Sequence, residues 1–301
     1  MFVITTNNPS SDPARLFVWA LSVSLIAVAA TGCTRVPETG RHQVILMSKE
    51  HEKCLGLKAF KKFMRNAKPS EDQRFSALVE RVGQRVALAA NQSEYDWEFK
   101  LVESSKTNAF CLPGGKIVVY TGIVPIMANE AGMAVLLGHE VAHAVARHGA
   151  ERLTQQSGVN LAGQAFVWSI PGGTVFTQLA VNSAFGVGSE VGFLLPYSRT
   201  HELEADHLGL VYAAQAGYDP REAIGFWQRM RAARGDHSAE FLSTHPIKSR
   251  RIQALEEFMH RAVEAYHQAP QKHGLGLSWS KQRNGEHFEI ASPAAVARRM
   301  D

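Results

Sequence analysis

The sequence predicts a mainly α-helical domain with a small β-sheet or hairpin, and three observations lead there. Apolar residues recur at helical spacing, as in Phe75, Leu78, Val79, Val82, Val86 and Leu88. Only two short segments are β-rich, W-E-F-K-L-V at 97–102 and K-I-V-V-Y at 116–120, and the turn-forming stretch T-N-A-F-C-L-P-G-G lies between them. The composition is that of an ordinary globular protein: 301 residues, 45% hydrophobic and 20% charged, with 24 Gly and 12 Pro. Collagen-like, coiled-coil and wholly disordered chains are thereby excluded, and the length suffices to bury a real core.

The elements follow in order. Residues 16–30 read LFVWALSVSLIAVAA, fifteen positions without a charge. That run is short for a bilayer span and suits the apolar region of a secretory signal. Arg15 precedes it, and Ala30-Thr31-Gly32-Cys33 follows. The arrangement resembles a bacterial lipoprotein signal, with 1–32 removed and lipid carried on Cys33. An uncleaved anchor with an incidental cysteine is the alternative. Residues 33–69 read as a tether and a first helix over 49–65. The following domain, 70–268, opens on a helix over 71–90, then the β element, then long helical material over 123–156. Residues 158–196 hold one charged residue, Glu190, and are broken by Pro171-Gly172-Gly173 and further glycines. They read as a packed helical hairpin or as a cover over a site. Helices are expected over 201–216, 220–234 and 246–265. Residues 269–301 look like a loosely ordered tail, with Trp279 isolated.

The formal charge of +4 is spread along the chain with no Lys/Arg run interleaved with aromatics, so nucleic acid is not an expected partner. Thirteen histidines are many for this length, whereas three cysteines without a C-x-x-C pair are too few for a disulfide scaffold. With Cys33 lipidated, Cys54 and Cys111 remain; an oxidising compartment would permit a bridge between them, and two buried unpaired thiols are the simpler expectation.

Chemistry concentrates in His139-Glu140-Val141-Ala142-His143, an H-E-x-x-H. On a helix, positions i and i+4 differ by about 40° in azimuth, so both imidazoles project from one face and can share a tetrahedral metal. Glu140 stands beside them, placed to take a proton from a metal-bound water. A third ligand is needed. Fifty-nine residues after His143 stands Glu202, within S-R-T-H-E-L-E-A-D-H-L-G, where Glu202 and Asp206 are again i and i+4. A two-His, one-Glu set leaves an open position, as in hydrolytic zinc enzymes, and Asp206 is placed to accept from the far nitrogen of a ligand imidazole. The bland alternative is that Glu202, Glu204 and Asp206 form a solvated acidic face.

H-E-x-x-H followed by S-R-x-x-E-x-E-A-D-x-x-G resembles the zinc metallopeptidase family of CAAX prenyl endopeptidases and HtpX-type proteases. The periplasmic lipoprotein members of that family are matched further. They share Cys33 followed by V-P-E-T-G-R at 36–41, N-A-F-x-x-P-G-G at 108–115, and Thr244-His245-Pro246 with Arg251-Ile252. The resemblance implies a gluzincin-type zinc domain with one Zn2+ held by His139, His143 and Glu202, Glu140 as general base and Asp206 behind the ligands. It also implies that His245 is either structural or a latch that takes the fourth position on zinc. Arg251 is the candidate contact for the oxyanion or the substrate. Asn108, Pro113, Gly114 and Gly115 are the candidate edge for an extended peptide. His148, His201 and His207 are expected at the surface or behind the ligands. The implied partners are unfolded or misassembled envelope proteins and, through lipid on Cys33, a membrane. Thr34 after that cysteine fits sorting to the outer membrane, facing the periplasm. Two rival readings are an envelope chaperone or assembly factor with a latent or structural zinc site, and a hydrolase of small amides or esters.

Overall fold

The computed structural model describes residues 32–169, 197–233, 239–245, 249–276, 278–281 and 288–291. The apolar run at 16–30 and most of the Gly-rich 158–196 segment lie outside them. The described chain begins with β1 (Cys33–Arg35) and β2 (His42–Val44), an antiparallel hairpin whose tip is the V-P-E-T-G-R segment. Two helices follow, α1 (Lys49–Asn66) and α2 (Gln73–Ala89). Ser48 and Asp72 cap them, each accepting a backbone N–H three residues on, as short polar side chains do at N-caps.

A three-stranded sheet comes next: β3 (Glu98–Val102), β4 (Ala109–Leu112) and β5 (Lys116–Tyr120), in the order β3-β5-β4. The two segments that look like hairpin partners in the sequence are instead parallel, Glu98 opposite Lys116 and Val102 opposite Tyr120. The hairpin is β4–β5, with Leu112 opposite Lys116. Four apolar residues inside the stretch read as a turn form a strand, and the turn itself shrinks to Pro113–Gly114–Gly115. Its glycines, at φ 83° and 87°, take left-handed conformations that cost other residues free energy.

A 3₁₀ turn (Thr121–Ile123) and a short helix α3 (Val124–Met127) lead into α4 (Glu130–Val145) and α5 (His148–Ser169). The expected continuous helix is thus broken twice, at Ala128 (φ 61°) and Arg147 (φ 57°). Arg147 is held there by Glu52 of α1 at 2.7 Å and by the Met47 carbonyl at 3.0 Å. Four helices complete the described chain, α6 (Arg199–Gln215), α7 (Glu222–Ala232), α8 (Ala239–Thr244) and α9 (Ser249–Gln268), followed by the antiparallel pair β6 (Ser278–Lys281) and β7 (Phe288–Ala291). Helix α8 has no counterpart in the sequence reading. Trp279 is not loosely held: its indole N–H donates to the Val124 carbonyl at 2.9 Å and its ring meets Phe75 edge-on at 5.0 Å.

All sixteen residues of α4 are buried. It is the central rod, with α2, α3, α6, α7 and β4 packed around it. The closest approach is to α6, where a Cβ on Gly138 would lie 2.5 Å from the Gly209 carbonyl oxygen, and one on Gly209 would lie 2.5 Å from Gly138 backbone. Only glycine permits that crossing. Gly209→Ala is expected to destabilise the fold by about 1–3 kcal/mol through overpacking. Gly158→Ala, with open space around its Cβ, should leave the thermal midpoint unchanged or raise it; equal midpoints for the two variants would contradict the close crossing.

Candidate metal centre

Helix α4 carries His139, Glu140 and His143, and α6 carries Glu202 and Asp206. Ser198 caps α6 by accepting the His201 backbone N–H, which sets the first turn and with it the rotation of Glu202. The Nε2 atoms of His139 and His143 lie 3.1 Å apart. Glu202 approaches both, at 3.6 Å from His139 and 3.4 Å from His143. His245, at the end of α8, turns its Nδ1 into the same space, 3.3 Å from His139 Nε2 and 3.0 Å from Glu202 Oε1. One donor atom from each of these four buried residues lies within 4.8 Å of the others.

Whether this set suits zinc is decided by the protons. The outer nitrogen of His139 faces Asp206 Oδ1 at 3.0 Å, and the outer nitrogen of His143 faces His148 Nδ1 at 2.9 Å. With the proton of each ring on its outer nitrogen, facing these acceptors, His139 and His143 would turn two lone pairs toward each other beside a carboxylate. Without a cation that arrangement is repulsive. Two histidine nitrogens and a carboxylate oxygen are the donors of hydrolytic zinc sites, and the residues fit the ion.

The field around the set follows from burial. Glu140 is buried, which pushes its pKa up, while His245 and His139 pull it back. Burial works against a charge on Glu202 too, yet His245 and the Arg251 guanidinium hold it well below the usual carboxylate range. Burial opposes protonation of His245, but Glu202 and Glu140 outweigh it and raise its pKa. Arg251 donates to both oxygens of Asp206 at 2.7 Å, reaches Glu202 Oε2 at 2.6 Å, and stacks over Trp227 at 4.1 Å. Its guanidinium is therefore turned to the two carboxylates.

A helix bearing H-E-x-x-H, opposed by a glutamate from a second helix across a buried lone-pair cluster, defines a zinc metallopeptidase. The chain belongs to peptidase family M48, whose profile matches residues 73–259. It is 34% identical over 233 residues to the mitochondrial metalloendopeptidase OMA1 of Schizosaccharomyces pombe, covering 75% of this chain and 66% of that protein. The Saccharomyces cerevisiae protein of the same name is 32% identical over 260 residues, 79% of this chain and 72% of that one. The beta-barrel assembly-enhancing protease of Yersinia pestis is 24% identical over 225 residues, 72% of this chain and 46% of that one. Family and relatives make the chain a zinc metalloendopeptidase; it spans only part of these relatives, less than half of the last. No described helix is long and apolar enough to cross a membrane.

Other expected site residues fall differently. Pro113–Gly115 is not open edge: the Pro113 carbonyl presses on Gly56 of α1, and Gly114 and Gly115 abut Lys53 and Trp97. The strand that flanks the site is β4, whose Cys111 neighbours Glu140. Asn108 directly precedes that strand, its carbonyl accepting from the Tyr120 N–H at 3.0 Å. Cys33 and Cys54 are exposed, Cys111 is buried, and all three are free thiols. Cys54 thus departs from the expectation of two buried thiols.

A polar layer lies behind His143. His148 and His201 are buried and stacked, ring centroids 4.4 Å apart, so of the two places expected for them they take the one behind the ligands and not the surface. His148 faces Glu204 at 2.9 Å and His201 faces Glu151 at 3.0 Å. Arg41 reaches both carboxylates from the β1–β2 hairpin. Glu204 is therefore part of a buried network and not of a solvated acidic face. The available signal was the clustering of V-P-E-T-G-R, His148 and Glu204, each among or beside the recognisable segments. Burial disfavours charge on Glu151, but hydrogen bonds from His201 and Arg41 prevail and bring its pKa down to about 2. Its folded pKa lies below its unfolded value near 4.5, so its stabilisation is complete above that value and lost as pH falls toward about 2. Glu151→Gln should flatten the decline of the thermal midpoint between those two pH values; an unaltered acid limb would show that the ion pair contributes nothing.

Proposed function

We propose that the chain is a lipid-anchored endopeptidase of the bacterial cell envelope that cleaves unfolded or misassembled envelope proteins. The observation that carries the catalytic part of this reading is the four-residue convergence of His139, His143, Glu202 and His245 with Glu140 alongside. In it, His139, His143 and Glu202 hold zinc, which when bound supplies Lewis acidity to a carbonyl and to the attacking water. Glu140 takes the proton of that water and passes it to the leaving amine. Burial raises its pKa, which suits a group that must both accept and return a proton. Asp206 fixes the His139 ring, and Arg251 steadies Asp206 and Glu202 together.

The edge strand β4 supports a peptide substrate. It pairs with β5 on one side, and among the described residues no other strand pairs with it. An extended chain laid along β4 is held by main-chain hydrogen bonds beside Glu140, a mode that reads backbone before side chains. Unfolded segments present such backbone. The envelope setting rests on the apolar run at 16–30, Ala30-Thr31-Gly32-Cys33, and similarity to a protease named for β-barrel assembly. Cys33 is exposed at the start of β1, its Sγ 3.7 Å from His42 Nδ1.

His245 supports a latent state. Its Nδ1 fills the fourth donor position and its Nε2 stands 3.7 Å from Glu140, so that water and substrate carbonyl have no place until it withdraws. The full chain loaded with zinc is expected to cleave casein, and Glu140→Gln to lower kcat by about 10²–10⁴-fold while still binding zinc. His245→Ala should raise the rate. Zinc bound by all three with no cleavage by any would transfer the assignment to the chaperone reading.

A further inference from the structure

The V-P-E-T-G-R segment has no part in the chemistry above, yet it reaches the back of the metal centre. The tip of the β1–β2 hairpin is closed by hydrogen bonds from Val36 N–H to the Arg41 carbonyl (2.9 Å) and from Gly40 N–H to the Val36 carbonyl (3.0 Å). From that tip Thr39 Oγ1 donates to Glu204 Oε1, and Arg41 Nε donates to Glu204 Oε2 at 2.8 Å. The Arg41 terminal nitrogens grip Glu151 at 3.0 and 2.7 Å. Glu204 Oε2 lies 2.9 Å from His148 Nε2, and His148 Nδ1 lies 2.9 Å from His143 Nδ1. His148 is fully buried, with Glu204 almost so.

The protons in this line have one arrangement when His143 binds zinc through Nε2. Its proton then sits on Nδ1 and is donated to His148 Nδ1. The single proton of neutral His148 must sit on Nε2 and be donated to Glu204. Were Glu204 to move, His148 could take its other tautomer, and two N–H groups would face each other at His143. The carboxylate is thus what fixes both rings, and Thr39 and Arg41 are what fix the carboxylate.

We propose that Thr39 and Arg41 are positioning residues for the zinc ligand His143, acting through Glu204 and His148. The proposal rests on the reading of His143 as a ligand. It makes the hairpin immediately after Cys33 an integral part of the metal centre. His139 is supported by a carboxylate directly, and His143 by a carboxylate through a bridging imidazole. Removing such outer support typically weakens metal affinity 10–100-fold.

The test uses the full chain and reads zinc affinity by chelator competition, the visible spectrum of the cobalt(II)-substituted protein, and the thermal midpoint of the metal-free protein. His148→Phe and Glu204→Leu are expected to weaken zinc binding 10–100-fold and to shift the cobalt bands. Thr39→Val should do the same more weakly, and Thr39→Ser should restore wild-type behaviour, with the metal-free midpoint alike in the two Thr39 variants. If the larger replacements fail to fold, the Thr39 pair carries the test alone. Wild-type zinc affinity and cobalt spectra in the relay variants, in a chain where His143→Ala has lost the metal, would reduce the relay to packing. Retention of zinc by His143→Ala would overturn the ligand reading itself and the inference with it.

Discussion

The backbone contact between α4 and α6 at Gly138 and Gly209 is the constraint on which the rest depends. With no side chain between them, the two helices come close enough for residues on either side of the crossing to meet directly. Asp206, three residues before Gly209, reaches His139, one residue after Gly138. Farther from the crossing, Glu202 reaches His143. A bulkier crossing would separate the helices by the width of a methyl group or more. Glu202 would then no longer share a centre with the two histidines, whatever the loops did to compensate.

That proximity creates an electrostatic problem, because the crossing buries three carboxylates and several imidazoles. Burying a charge is costly unless it is paired and hydrogen-bonded. Glu202 and Asp206 are paired by one guanidinium, and Arg251 can serve both because its planar fork presents several donors in a fixed geometry. A lysine there would offer a single point charge and leave one carboxylate with a poor partner. Among the described residues no guanidinium pairs with Glu140, and His245 stands 3.7 Å from it. The same burial thus leaves one carboxylate depressed and another raised, which separates a metal-holding role from a proton-carrying one.

What the sequence made legible was whatever follows from local periodicity. The helix repeat puts His139 and His143 on one face of α4 and Glu202 and Asp206 on one face of α6, and the packing of the two helices brings those faces together. Helices over 49–65 and 71–90 were likewise readable, within two residues of α1 and α2. What failed was tertiary. A-F-C-L is four residues long and flanked by turn formers, so no period distinguishes a buried strand from a loop. The parallel pairing of β3 with β5 depends on that hidden strand. The breaks at Ala128 and Arg147 come from left-handed residues of types that give no warning, and the one at Arg147 is secured by a partner 95 positions away. The orientation of Arg251 is decided by Trp227 and two carboxylates from another helix, which no linear pattern encodes.

The two histidines of α4 are supported from opposite ends of the chain, and this explains why recognisable segments are scattered over more than two hundred positions. His139 leans on Asp206, which is held by Arg251 of α9, near the carboxyl-terminal end of the described helices. His143 leans on His148 and Glu204, held by the hairpin at 33–44. The His139–Asp206 contact is formed by the helix pair, but the groups that hold Asp206 and Glu204 come from outside it. A folding chain that has packed α4 against α6 has therefore made the ligand cluster but has not fixed its rings. The geometry becomes unique only once the first hairpin and the last long helix have both docked. Competence for chemistry is in that sense a report that the whole domain is assembled. For a zinc peptidase, such dependence keeps a partly folded copy from presenting an ordered metal site.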